Sequence, residues 1–140
     1  MTLIEILVVV AIIAVLIAVA IPNMQRAQIN GNESQTICEL RLFTSIQNMF
    51  FLGDSDNDDS YDFATTLAEL EAFGKIDPTL ATGTKKGYVH DLSVVDPLTG
   101  WVIQSDPETP GSTGLRYFYV DQTGVVRFSL TQRAIATDPV

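Results

Sequence analysis

The chain has 140 residues, enough for one domain and an appendage, with 17 acidic against 8 basic side chains and a net charge of −9. That balance excludes a general nucleic-acid binder, which needs a basic footprint to neutralise phosphates. A single cysteine, Cys38, excludes an intrachain disulfide, so an extracellular head would depend on its core or on an ion.

The N-terminal segment is apolar without a break from Ile6 to Ile21, and Leu3 and Ile4 extend it around Glu5. The positive mean hydropathy belongs to this segment, and the rest reads as an acidic, water-soluble chain. A secretory signal would need a cationic start and a small-residue cleavage site, but no Lys or Arg precedes Arg26. A membrane anchor needs about 20 apolar residues to cross about 30 Å of hydrocarbon, and residues 3–21 nearly reach that. An anchor alone gives no reason for Glu5, since a carboxylate in such a span is retained mainly for a partner or a task. The α-amino group of Met1 is one candidate partner, within the chain or on a neighbouring copy. A tolerated charge at the membrane edge is the plainer alternative. Between copies, the pair would set the stagger of subunits.

Met1-Thr2-Leu3-Ile4-Glu5-Ile6-Leu7-Val8-Val9-Val10-Ala11-Ile12-Ile13, followed by Ala20-Ile21-Pro22-Asn23, resembles the mature N-terminus of type IV pilins and pseudopilins. The likeness covers roughly the first 25 residues, with Met1 where the family usually has Phe and Ala14 where it often has Gly. It implies that a prepilin peptidase removes a short leader before Met1 and that the new terminus is N-methylated. It implies a precursor held in the inner membrane, then a homopolymeric filament at the cell surface, built by an ATP-driven assembly machine. Glu5 would neutralise the Met1 amine of a neighbour. Adhesion, twitching motility and DNA uptake are all served by such filaments. Two rivals stand beside a major pilin: the major pseudopilin of a type II secretion system, and a monomeric membrane-anchored binding domain.

Pro22 lacks an amide hydrogen, so a kink or short unwound stretch is expected near Ala18–Pro22. Ala14 is a better helix former than Gly by about 1 kcal/mol, which leaves Pro22 as the chief source of local loosening. Beyond it Ile37, Leu40, Phe43, Ile46 and Phe50 recur at helical spacing as one apolar stripe. A helix from about Thr2 to Leu52 would be on the order of 75 Å long, ended by Gly53. The expected division is a polymerisation helix over 1–22, an amphipathic half over 23–52 and a head over 53–140.

The head opens with an acidic loop over 53–62 carrying Asp54, Asp56, Asp58, Asp59 and Asp62. Their alternation falls short of an EF-hand, with Asp59 where Gly is needed and Thr65 where Glu is needed. A solvated acidic loop and a looser calcium site remain the two readings; no other cofactor is expected. Thr66 to Glu69 matches a capping box, predicting a short helix over 65–73 ended by Gly74. Lys75–Lys86 reads as a connection. Strand signals cover Tyr88–Val95, Trp101–Ser105, Arg116–Val120 and Val125–Ser129, separated by turns at Asp96–Gly100 and Asp121–Gly124 and a loop at Pro107–Gly114. The expected fold is α+β: a long kinked helix packed on an antiparallel meander of about four strands, the pilin fold. The tail over 130–140 has no period and is expected to be mobile.

No catalytic constellation emerges, and no Ser/His/Asp pairing has plausible spacing, so a non-enzyme is expected. His90 stands alone and is assigned no role. Cys38 is expected to be a small buried hydrophobe, with an intersubunit disulfide as the alternative. Phe43, Phe50, Phe51, Tyr117, Phe118 and Tyr119 fall at helical and strand spacing as core and sheet-face residues, and nothing in that spacing demands electron conduction. Asn32-Glu33-Ser34 fits an N-glycosylation pattern but falls inside the predicted helix.

Overall fold

The computed structural model describes residues 2–53 and 61–140. Its first element, α1 (Leu3–Gly53), is one continuous helix with Pro22 inside it. The stretch Ala18–Pro22 is therefore not unwound, contrary to that part of the expectation. Proline deletes one donor, but its neighbours Ala18, Ala20, Met24, Gln25 and Arg26 include strong helix formers that carry the helix on either side.

Two environments divide α1. Residues 3–28 have no buried side chain, whereas Ile29, Glu33, Thr36, Leu40, Phe43, Gln47 and Phe50 are all buried. These positions alternate steps of four and three, the spacing of a single helix face. Ile46 joins them, and Ile37 packs at the edge. Cys38 is exposed, which corrects the buried reading. It falls two residues after Thr36 and two before Leu40, about 200° around the helix from each, on the side opposite the head.

After the acidic segment, α2 (Leu67–Ala72) starts at the expected capping box. Thr66 Oγ1 accepts from the Glu69 amide while the Glu69 carboxylate accepts from the Thr66 amide. A further short helix, α3 (Pro78–Ala81), occupies the supposed connection, with Asp77 as N-cap and Pro78 at the first turn.

Five strands follow in a meander of order β1-β2-β3-β4-β5, every neighbouring pair antiparallel: β1 (Thr84–Lys85), β2 (Tyr88–Asp96), β3 (Gly100–Pro107), β4 (Tyr117–Asp121) and β5 (Arg127–Ser129). The strand beyond the expected four is β1, joined to β2 through Lys86 and Gly87. Both have positive φ, at 50° and 76°, as a type I′ hairpin requires. The long pairing of β2 with β3 runs from Tyr88↔Pro107 to Asp96↔Gly100, with an irregularity at Val94/Asp96. Along β3, Trp101, Ile103, Ser105 and Pro107 are buried in alternation. Trp101 and Ile103 join Phe118 and Val120 of β4, and the apolar residues of the α1 seam, in the core.

The C-terminal tail is docked rather than loose. Ala134 is fully buried, its carbonyl accepts from Gln104 Nε2, and the Phe128 amide donates to Pro139 O. Arg133 reaches Asp91 at 2.7 Å and Asp106 at 2.9 Å. Periodicity missed this because the tail is held by scattered polar contacts rather than by a repeating apolar face. The whole is the expected α+β arrangement, a long helix on a small antiparallel sheet, and it is consistent with a pilin-like fold.

Candidate functional site: an uncovered apolar helix and the clamps that hold the head

The helix begins with a reciprocal cap. The Thr2 amide donates to Glu5 Oε2 at 2.6 Å, and the Glu5 amide donates to Thr2 Oγ1 at 3.4 Å. A carboxylate in the first turn also complements the helix dipole. Glu5 therefore has a partner inside its own chain, in a role the sequence reading did not foresee. Met1 lies outside the described residues, so its pairing with Glu5 does too. Glu5 and Pro22 share α1 but are not brought together: 17 residues of helix put them about 25 Å apart. Between them run large aliphatic side chains with no cover, among them Val8 at 49 % exposed and Leu16 at 64 %. The helix is long and apolar enough to cross a membrane.

Where α1 turns amphipathic, three polar groups on its buried face grip the head. Nearest the apolar half, Glu33 accepts from the Leu115 and Arg116 amides through Oε1, and from the Arg116 guanidinium through Oε2 at 2.7 Å. Asn32 assists by donating to Thr113 O, which occupies the side-chain nitrogen of the N-x-S pattern. Farther along, Gln47 makes two bonds with the backbone of Ala64, as an amide can with its own kind.

Between these lies Glu39. Its Oε1 takes the Gln35 amide at 3.0 Å and faces Lys85 at 3.5 Å, while Oε2 lies 3.2 Å from His90 Nε2. On the far side His90 Nδ1 meets Ser105 Oγ at 2.7 Å. Burial alone would raise the Glu39 pKa, but the His90 and Gln35 contacts and the nearby His90 and Lys85 charges pull it below the ordinary carboxylate value. The tautomer with its hydrogen on His90 Nε2 turns that hydrogen toward Glu39 Oε2, although the 3.2 Å approach is too poorly aligned for a hydrogen bond. In the neutral ring Nδ1 then accepts the Ser105 hydroxyl.

The fold thus assembles a Ser–His–Glu series that spacing along the chain did not reveal. Its geometry is not that of an open active site. Ser105 is fully buried and the His90 side chain is 0 % exposed, so no substrate carbonyl can approach the hydroxyl. What the series does is tie α1 to β2 and β3 through the middle of the core.

Asp54, Asp56, Asp58 and Asp59 lie outside the described residues; Asp62 is half-buried. Among the described residues no group of three or more His, Cys, Asp or Glu is gathered as a metal site. Phe43, Phe50, Phe118 and Tyr119 are buried, Tyr117 is half-buried, and Phe51 stacks on Phe63 with ring centres 4.6 Å apart. The residues missed by sequence reasoning are Glu33, Glu39, Gln47, His90, Ser105 and Arg116. One signal was present: Glu33 and Gln47 occupy the same four-and-three series as Leu40 and Phe43, polar side chains in an apolar seam.

Comparison with protein-family models, curated proteins and solved structures gives no match. The chain's own residues carry the functional reading.

Proposed function

We propose that the chain is the major structural subunit of an extracellular type IV pilus, assembled through its N-terminal helix after residence in the inner membrane. The observation that carries this reading is the division of α1. The head is packed on residues 29–50, while residues 6–21 are apolar on every side and uncovered. Such a surface needs lipid or other apolar helices, and each aliphatic side chain covered contributes on the order of 1.5–3 kcal/mol relative to water. Copies of the same helix satisfy the requirement by exchanging lipid contacts for one another. Within that bundle Glu5 trades its contact with the Thr2 amide for the Met1 amine of a neighbour, a charge-assisted contact in a dry setting. The pilin-like N-terminal sequence supports both steps, including prepilin peptidase processing and N-methylation at Met1.

The test is Glu5→Val in the full-length chain, followed by electron microscopy of the cell surface and by membrane fractionation. The variant is expected to stay in the membrane and form no filaments; normal filaments would sink the reading. Mass spectrometry of the native N-terminus is expected to find a leaderless, methylated Met1. Loss of protein secretion with surface pili intact, on deletion of the gene, would instead identify a type II secretion pseudopilin.

A second reading is favoured by one specific contact. Because Glu5 is satisfied by its own Thr2 amide, a monomeric membrane-anchored domain needs no partner for it. Full-length protein that stays monomeric in detergent, with Glu5 substitutions silent, would decide for that reading.

A further inference from the structure

Directly above the apolar span, the head overhangs the helix and leaves a groove of about 700 Å³ between α1 and the loop over 111–115. Pro22, Gln25, Arg26 and Gln28 line one wall, Ser112 and Leu115 the other. Three features of the groove bear on what fills it.

The first is charge. Arg26 is the first cationic side chain in the sequence, and among the described residues no carboxylate lines the groove although the chain carries a net charge of −9. Arg26 makes no ion pair among the described residues. The next carboxylate along α1, Glu33, is committed to Arg116. The second is hydrogen-bonding capacity. The guanidinium, the Gln25 and Gln28 amides and the Ser112 hydroxyl supply donors around one concavity. The third is position. Residues 3–21 as helix span about 28 Å, close to the hydrocarbon thickness of a bilayer, so Pro22 to Gln28 fall at headgroup level. Leu115, 54 % exposed, is on the rim, where an apolar side chain can meet the acyl boundary.

The geometry points to this groove as a seat for the phosphate of an anionic phospholipid, in the leaflet from which the head emerges, with Arg26 as its cation. The inference rests on the membrane-inserted state of the proposed function. It adds to that state a specific lipid contact that fixes how deeply the head sits. A guanidinium suits the task because its planar array of donors matches phosphate oxygens and remains charged at any physiological pH. A zwitterionic lipid brings its own cation and gains less from Arg26.

The experiment uses the full-length chain in vesicles of phosphatidylcholine with or without phosphatidylglycerol. Carbonate extraction reports insertion, and native mass spectrometry after detergent extraction reports retained lipid. Wild type is expected to insert and to retain phosphatidylglycerol over phosphatidylcholine. Arg26→Gln should insert equally but lose about fivefold in phosphatidylglycerol retention, the worth of one basic residue at an anionic surface. Arg26→Lys should keep most of it, and Arg41→Gln, on α1 outside the groove, should keep all of it. Millimolar inorganic phosphate should not displace the lipid; displacement would mean a free-anion site and overturn the lipid assignment. Equal retention by wild type and Arg26→Gln, or equal loss in Arg41→Gln, would overturn the site while leaving membrane insertion standing. Failure of wild type to resist carbonate extraction would overturn insertion itself and the site with it.

Discussion

Arg116 closes on Glu33 with both Nε and Nη2 2.7 Å from a single carboxylate oxygen, Oε2, across 83 positions of sequence. The other oxygen, Oε1, holds two backbone amides, so the carboxylate is fully occupied. The buried charge on the seam is thereby matched group for group, and its removal has a calculable cost.

Glu33→Ala should destabilise the head by about 2–3 kcal/mol, below the full value for a broken buried pair because Arg116 is partly solvated. Urea unfolding of the full-length chain in micelles, followed by Trp101 fluorescence, measures it. Glu33→Gln, which keeps an acceptor for the amides but not the charge, should lose less. A midpoint unchanged in Glu33→Ala would mean that water replaces the carboxylate without penalty.

The Glu39 pKa is lowered in the folded state from an ordinary 4.5. A depressed carboxylate contributes stability that is fully present above its unfolded value and is lost as pH falls through the folded one. Wild type should therefore lose stability on acidification below about pH 4.5, more steeply than Glu39→Gln. Asp106 acts in the opposite sense. Burial raises its pKa, the Arg133 charge offsets part of that and the Asp91 charge adds to it, so protonation of Asp106 favours the fold. Unfolding midpoints of both chains from pH 7 to pH 3 give the comparison.

At Gly114 an added Cβ would collide with the Tyr88 ring and hydroxyl. That hydroxyl donates to Arg116 O at 2.8 Å, beside the Glu33 clamp. Gly114→Ala should cost about 1–3 kcal/mol by overpacking. Gly111→Ala meets nothing within 4 Å, but its φ of 86° makes it strained on conformational grounds alone, so it should cost less. Thermal unfolding of the two variants separates collision from strain.

Cys38 is exposed on the side of α1 away from the head. A maleimide should modify it completely in the folded, monomeric chain without denaturant, as intact mass would report. Labelling that waits for urea would place the thiol in the core after all.

Much of this architecture is legible in the sequence because its causes are local. The capping box is a four-residue motif, the seam follows from the helical repeat, and the Asp121–Gly124 turn requires a glycine where φ is 73°. What escaped was set by distance along the chain or by very short elements. Two residues of β1 carry no alternation to detect, and α3 has four residues. His90 and Ser105 become partners only when β2 and β3 pair, since His90↔Ser105 is a register position of that hairpin. Glu39 joins them only when the helix docks. The single helix from about Thr2 to Leu52 is as expected; only the unwound stretch at Pro22 is absent, because the helix formers around it outweigh one lost donor.

The seam also fixes a load path. A pull on residues 3–21 travels up a continuous helical backbone and first meets the head at Ile29 and the Glu33–Arg116 clamp. It then passes Glu39 with His90, and finally Gln47 with Ala64. These attachments lie along the helix axis, so an axial force shears them together instead of peeling them one at a time. The head rides on α1 like a sleeve riveted along a rod, with the Glu33–Arg116 ion pair at the end where tension enters.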